Sequence, residues 1–123
     1  MFKIEGDTIH ITRGNIATIE VLAKKKFSFE AGDIIRLKVV NKNDYNTVKL
    51  VKDVTVSSET TKVYIELTSE DTKIDGIINA PKTYWYEIEL NPDTATQTLK
   101  GHDKEGAKEF ILYPEGGEAD GRN

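Results

Sequence analysis

The stretch Thr83-Tyr-Trp-Tyr-Glu-Ile-Glu-Leu90 changes character at every step. Tyr84, Tyr86, Ile88 and Leu90 fall on one parity, and Trp85, Glu87 and Glu89 on the other. Successive side chains of a strand point to opposite faces, so this alternation predicts a strand with one buried face. The same grammar recurs. Ala17, Ile19 and Val21 alternate with Thr18 and Glu20. Ile35, Leu37 and Val39 alternate with Arg36 and Lys38, and Val63, Ile65 and Leu67 with Tyr64 and Glu66. The first-named set of each belongs inside. This constrains the architecture to sheets and leaves the function open.

Turn chemistry separates the runs. Thr12-Arg-Gly-Asn15 offers Gly14 and Asn15 for positive φ, and Glu30-Ala-Gly-Asp33, Asn41 to Asn46, Ser57 to Thr60 and Asn91-Pro-Asp-Thr94 are further breaks. Ile9 to Ile11 reads as a short opening strand; Thr96 to Gly101 and Glu109 to Tyr113 read as the last two. In Thr47 to Val56 the parity fails at Lys52, which predicts either a bulge near Lys52-Asp53 or two strands crossing between sheets. Thr68-Ser-Glu-Asp-Thr72 has helix-start chemistry and predicts about one helical turn.

The expectation is an all-β fold of about 7–9 antiparallel strands with one short helical turn, in a sandwich of immunoglobulin type or else a barrel. With no cysteine, the antibody-type disulfide is absent, and Trp85 comes late in the chain. Residues 1–114 form one domain and 115–123, Gly-rich and charged, a flexible tail. At 123 residues a chain buries roughly two-thirds of its unfolded surface, enough for a core without staples.

Composition narrows the function classes. The lack of cysteine removes disulfides, thiolate catalysis and sulfur-ligated metals, and suits assembly in a reducing cytoplasm. A formal charge of −4 disfavours nucleic acid, whose binding rests on neutralising phosphates. The one basic cluster, Lys24-Lys-Lys26, reads as a solvated loop. No apolar run approaches the ~20 residues that cross a bilayer, and Met1 to Gly6 carries no signal-peptide stretch, so no membrane contact is expected.

Candidate chemistry is sparse. His10 and His102 lie far apart and lack the partners a zinc site needs. None of the four serines sits in a nucleophile elbow. Asp71, Asp75, Asp93 and Asp103 fall in turns, but no segment has the spacing of a calcium loop, and aspartate favours turns for its own backbone bonds. Glu87 and Glu89 lie ~7 Å apart on one strand face, a spacing open to acid–base chemistry but commoner on a solvated face. The expectation is therefore no catalytic residue, no metal and no cofactor.

The aromatic residues are the better candidates for a surface. Trp85 and Tyr64 both take outward parity. On neighbouring strands they would form a platform for a sugar ring or a protein partner. Otherwise Trp85 packs under a loop or the terminal segment. Tyr45, in a turn, is the third candidate.

Three stretches carry a resemblance: Ile11-Thr-Arg-Gly-Asn15, Phe29 to Val39 with its Gly32-Asp33, and Tyr84 to Gly116 with Gln97-Thr-Leu-Lys-Gly-His-Asp103 and Glu109-Phe-Ile-Leu-Tyr-Pro-Glu-Gly116. Leu67-Thr-Ser-Glu-Asp-Thr72 adds a corner motif. Over about residues 8 to 116 the chain resembles small immunoglobulin-like proteins of phages and prophages of Gram-positive bacteria, similar to the N-terminal domain of siphophage baseplate upper proteins. Asn15 stands where that family more often has Asp. The resemblance implies a non-enzymatic structural component of the virion, assembled in the bacterial cytoplasm. It would bind other tail or baseplate proteins or further copies of itself. The rival expectation is a carbohydrate-binding module using Trp85 with Tyr64 or Tyr45.

Overall fold

The computed structural model describes residues 1–115. These form nine strands and no helix: β1 (Phe2–Glu5), β2 (Thr8–Thr12), β3 (Ala17–Leu22), β4 (Ile34–Asn41), β5 (Asp44–Thr55), β6 (Lys62–Leu67), β7 (Lys82–Leu90), β8 (Gln97–Lys100) and β9 (Lys108–Tyr113). A seven-stranded sheet runs β1-β2-β9-β7-β4-β5, with β8 also paired to β7. A two-stranded sheet pairs β3 with β6.

The parity rule decides what is buried. Ala17, Ile19 and Val21 of β3 and Val63, Ile65 and Leu67 of β6 turn one way. They meet Ile35, Leu37 and Val39 of β4, Tyr84, Tyr86 and Ile88 of β7, Ile9 and Ile11 of β2, and Phe110 and Leu112 of β9 in one core. Each buried Ile, Leu or Val stabilises by roughly 1.5–3 kcal/mol, so this shared interior holds the layers together in a sandwich-like arrangement. Ile19, Leu37, Ile65 and Ile88, inward by parity, do share that interior.

Several expectations need correction. The strands are not all antiparallel: β2 lies parallel to β9, with Ile9 beside Phe110 and Ile11 beside Leu112. The strand β1, unforeseen, folds back on β2, pairing Phe2 with Ile11. The long extended piece is one strand, and its bulge is not at Lys52-Asp53. Register slips where Val39 faces Leu50 but Val40 faces Val48, which leaves Lys49 as the extra residue. Past that point Leu50, Lys52 and Val54 share the inner side. Lys52 is thus an inner-face lysine, and its ammonium reaches Asp71 at 2.8 Å.

The expected helical turn is a hydrogen-bonded turn without helix. Thr68 and Asp71 exchange side-chain-to-backbone bonds, Asp71 N–H to Thr68 Oγ1 at 3.1 Å and Thr68 N–H to Asp71 Oδ2 at 2.8 Å. A single i to i+4 bond, Thr72 N–H to Thr68 O, follows. Gly14 does take positive φ, at +85°, whereas Asn15 is not among the residues that do. Of the expected tail, Glu115 pairs with Arg13 at 2.6 Å, and residues 116–123 lie outside the described residues.

Candidate functional site

Trp85 stands on β7 opposite Val40 of β4 and Glu109 of β9, so it faces away from the core. The β4–β5 hairpin brings Tyr45 beside it, with ring centroids 5.3 Å apart and planes tilted by 41°. From the other side the β8–β9 loop lays His102 edge-on against the indole, at 5.8 Å and 80°. The Tyr45 hydroxyl and His102 Nδ1 share a 3.2 Å hydrogen bond. Burial, with the Glu87 charge nearby, raises the Tyr45 phenol above its ordinary value, so it stays protonated.

Two of the sequence candidates therefore meet, and the third does not. Tyr64 lies on β6, whose strand partner is β3 of the other sheet, and is 49% exposed. Trp85 and Tyr64 form no common platform. The third ring of the cluster, His102, comes from a turn. No local pattern marks it, because the loop that carries it reaches Trp85 only through the fold. Gly101 makes that approach possible: a Cβ there would come within 2.8 Å of the Thr98 methyl and 3.3 Å of a Glu87 oxygen.

The same outward face is laced with charge. Arg36 grips Asp53 through Nε and Nη2 at 2.8 and 2.9 Å, and reaches Asp93 in the β7–β8 turn at 3.2 Å. These bonds raise the guanidinium further above its already high value. Glu87 meets Lys38 at 3.8 Å rather than standing free beside Glu89.

The turn aspartates are likewise engaged. Asp75 accepts from Lys49 at 2.8 Å, from the Tyr84 hydroxyl at 2.6 Å and from Lys82 at 3.1 Å, and these bonds hold its carboxyl far below the usual range. Burial and the same bond push the Tyr84 phenol well up. Burial opposes ionisation of Asp71, but the bonds from Lys52 and Thr68 outweigh it and lower its value. Asp103 binds Lys108 at 2.9 Å. His10 sits between Glu5 at 3.0 Å and the Tyr113 hydroxyl at 2.7 Å. Among the described residues no three His, Asp or Glu side chains gather as a metal site.

A second feature lies on the β3 side, where the two layers leave a seam. One hollow is lined by Ile4, Ile9, Ile19, Leu22, Ile88 and Leu99. A neighbouring one is lined by Ala23, Phe27, Phe29, Leu90 and again Leu99. Leu22 is 59% and Phe27 71% exposed at their rims. Lys24 to Lys26 form the exposed turn beside Phe27, closed by a bond from Phe27 N–H to Lys24 O.

The turn at Thr12 to Asn15 and the corner at Thr68 to Thr72 touch one another. Thr72, fully buried, accepts from Gly14 N–H at 3.0 Å and donates to Asn15 O at 2.8 Å, so the corner is bolted to the opening turn. Asn15 Oδ1 in turn accepts from the ammonium of Met1. No protein-family model matches the chain, and no curated protein matches it.

Proposed function

We propose that the chain is an immunoglobulin-like sandwich acting as a non-enzymatic adaptor in a phage tail or baseplate, binding other virion proteins. Strand order supports the fold reading. Counted in chain order, β3, β4, β5, β6, β7 and β9 take the places of strands B, C, C′, E, F and G. In that scheme B pairs with E in one layer, while C′, C, F and G adjoin in the other. The phage assignment rests on the turn and strand motifs quoted above.

The observation that carries the adaptor reading is the open seam beside β3, where Leu22 and Phe27 present apolar surface next to a strand edge that is unpaired among the described residues. Exposed apolar side chains beside free backbone donors and acceptors suit a protein partner. On the outward face Arg36 is paired with Asp53 and Asp93, and Glu87 with Lys38, an arrangement in keeping with a non-enzymatic reading. Mass spectrometry of particles purified after induction of the encoding prophage tests this reading. The chain is expected to co-sediment with tails at fixed stoichiometry, and its absence from intact particles would refute it.

The carbohydrate reading keeps one observation in its favour, the Tyr45–Trp85–His102 cluster. Its rings are tilted and packed against each other rather than laid out as an open platform. As the single tryptophan, Trp85 reports directly: cell-wall glycans that stack on it would shift its emission.

A further inference from the structure

The described residues leave five strands with an unpaired side: β1, β5, β6, β8 and β3. Proteins blunt such edges with short strands, lysines or bulges. The strands β1 and β8 have four residues each and carry Lys3 and Lys100. The strand β5 carries Lys49 and Lys52 and is bulged, and β6 carries Lys62. Only β3 has none of these protections. It is six residues long, regular in register, and has Glu20 as its one charge. Its outward side is flanked by two exposed aliphatics, Ile16 at 73% and Leu22 at 59%.

We propose that this edge pairs with the same edge of a second copy, forming a two-fold dimer with β3 antiparallel to β3 and the pair centred on Ile19. The argument is register. Antiparallel partners must share a face, so a two-fold pairing centres on a residue. Centred on Ile19, it sets Ile16 opposite Leu22 of the partner subunit and Thr18 opposite Glu20 of the partner subunit. On the inner side, Ala17 meets Val21 of the partner subunit. Both exposed aliphatics are then covered and no like charges oppose. Centred one residue on, Glu20 would face Glu20 of the partner subunit, which is repulsive. The product is a continuous four-stranded layer, β6-β3 extended by its two-fold mate. The inference rests on reading the β3 seam as a protein-binding surface, not on the phage assignment.

Light scattering with size-exclusion chromatography on the full chain tests it, with circular dichroism to verify folding. The wild type is expected to dimerise at high micromolar concentration. Thr18→Glu sets Glu against Glu20 of the partner subunit twice, and should weaken dimerisation about tenfold while the fold persists. The double variant Thr18→Glu/Glu20→Lys restores opposite charges in this register and should recover the dimer. Because the chain has no cysteine, a Thr18→Cys/Glu20→Cys variant should also cross-link between copies on oxidation, the facing Cα atoms falling within disulfide reach. A monomeric wild type would overturn the dimer and leave the seam to a different protein, so the adaptor reading would survive. A dimer indifferent to Thr18→Glu, or an unrescued double variant that is still folded, would overturn the register and with it the proposal.

Discussion

Thr72 shows how one buried polar residue can decide a junction. Its hydroxyl serves both Gly14 N–H and Asn15 O with no exposure to water. Thr72→Val keeps the shape and strands both backbone groups, so a loss of about 1–3 kcal/mol is expected in urea unfolding. Lys52 and Asp71 make a second test. Lys52→Met keeps apolar contact on the inner face, and Asp71 retains the bond from Thr68 N–H. Asp71→Ala loses that bond and the ion pair together. Asp71→Ala should therefore cost about 1–2 kcal/mol and Lys52→Met clearly less; the reverse order would contradict the assigned geometry. The sequence displays Thr68 and Ser69 as possible caps and Glu70 and Asp71 as first-turn acids. It hides the Thr72 tie and the Asp75 hub, because partners separated by tens of residues leave no local mark.

At the scale of elements, strands with strict alternation are legible and those that break it are not. The strands β3, β4, β6 and β7 bury the residues their parity assigns, except Leu90 at the end of β7, which is half-buried. In β5 a lysine on the inner side looks like a break in the strand, whereas the register shifts fall earlier, at Lys49 and again between Val48 and Asp44, where no break in parity announces them. The strand β1 has three exposed residues of four and so lacks a buried stripe to read. The parallel match of β2 with β9 joins opposite ends of the chain, a register that no periodicity encodes. The same reasoning covers the aromatic candidates. Tyr45 and Trp85 are carried by strands that both pair with β4, while Tyr64 belongs to the other sheet. Tyr45→Ala should red-shift the Trp85 emission and Tyr64→Ala should leave it unchanged; a shift with Tyr64→Ala would contradict the sheet assignment.

The whole molecule combines a broad sheet with a narrow cover, tied by charge at the surface. Asp7, Asp53, Asp75 and Asp103 are lowered by bonds from Lys100, Arg36, Lys49 and Lys108 respectively. Lowered carboxyls stabilise the fold at pH above their unfolded value of 3.8, and that contribution is lost as pH falls below it. Tyr84 and Tyr86 are raised, chiefly by burial, so their contribution is full below the unfolded value of 10.0 and lost as pH climbs beyond it. These groups predict a melting temperature that falls below about pH 4 and again above about pH 10. A melting temperature rising as pH drops below 4 would contradict the carboxylate pairings.

Amide hydrogen exchange by NMR, in solution dilute enough to hold the chain monomeric, tests the central claim that β3 is an open edge over a closed core. Every second amide of Ala17–Leu22 should exchange orders of magnitude faster than its neighbours, while β4 and β7, paired on both sides, stay protected along their length. Uniform protection along β3 in that dilute monomer would contradict the account.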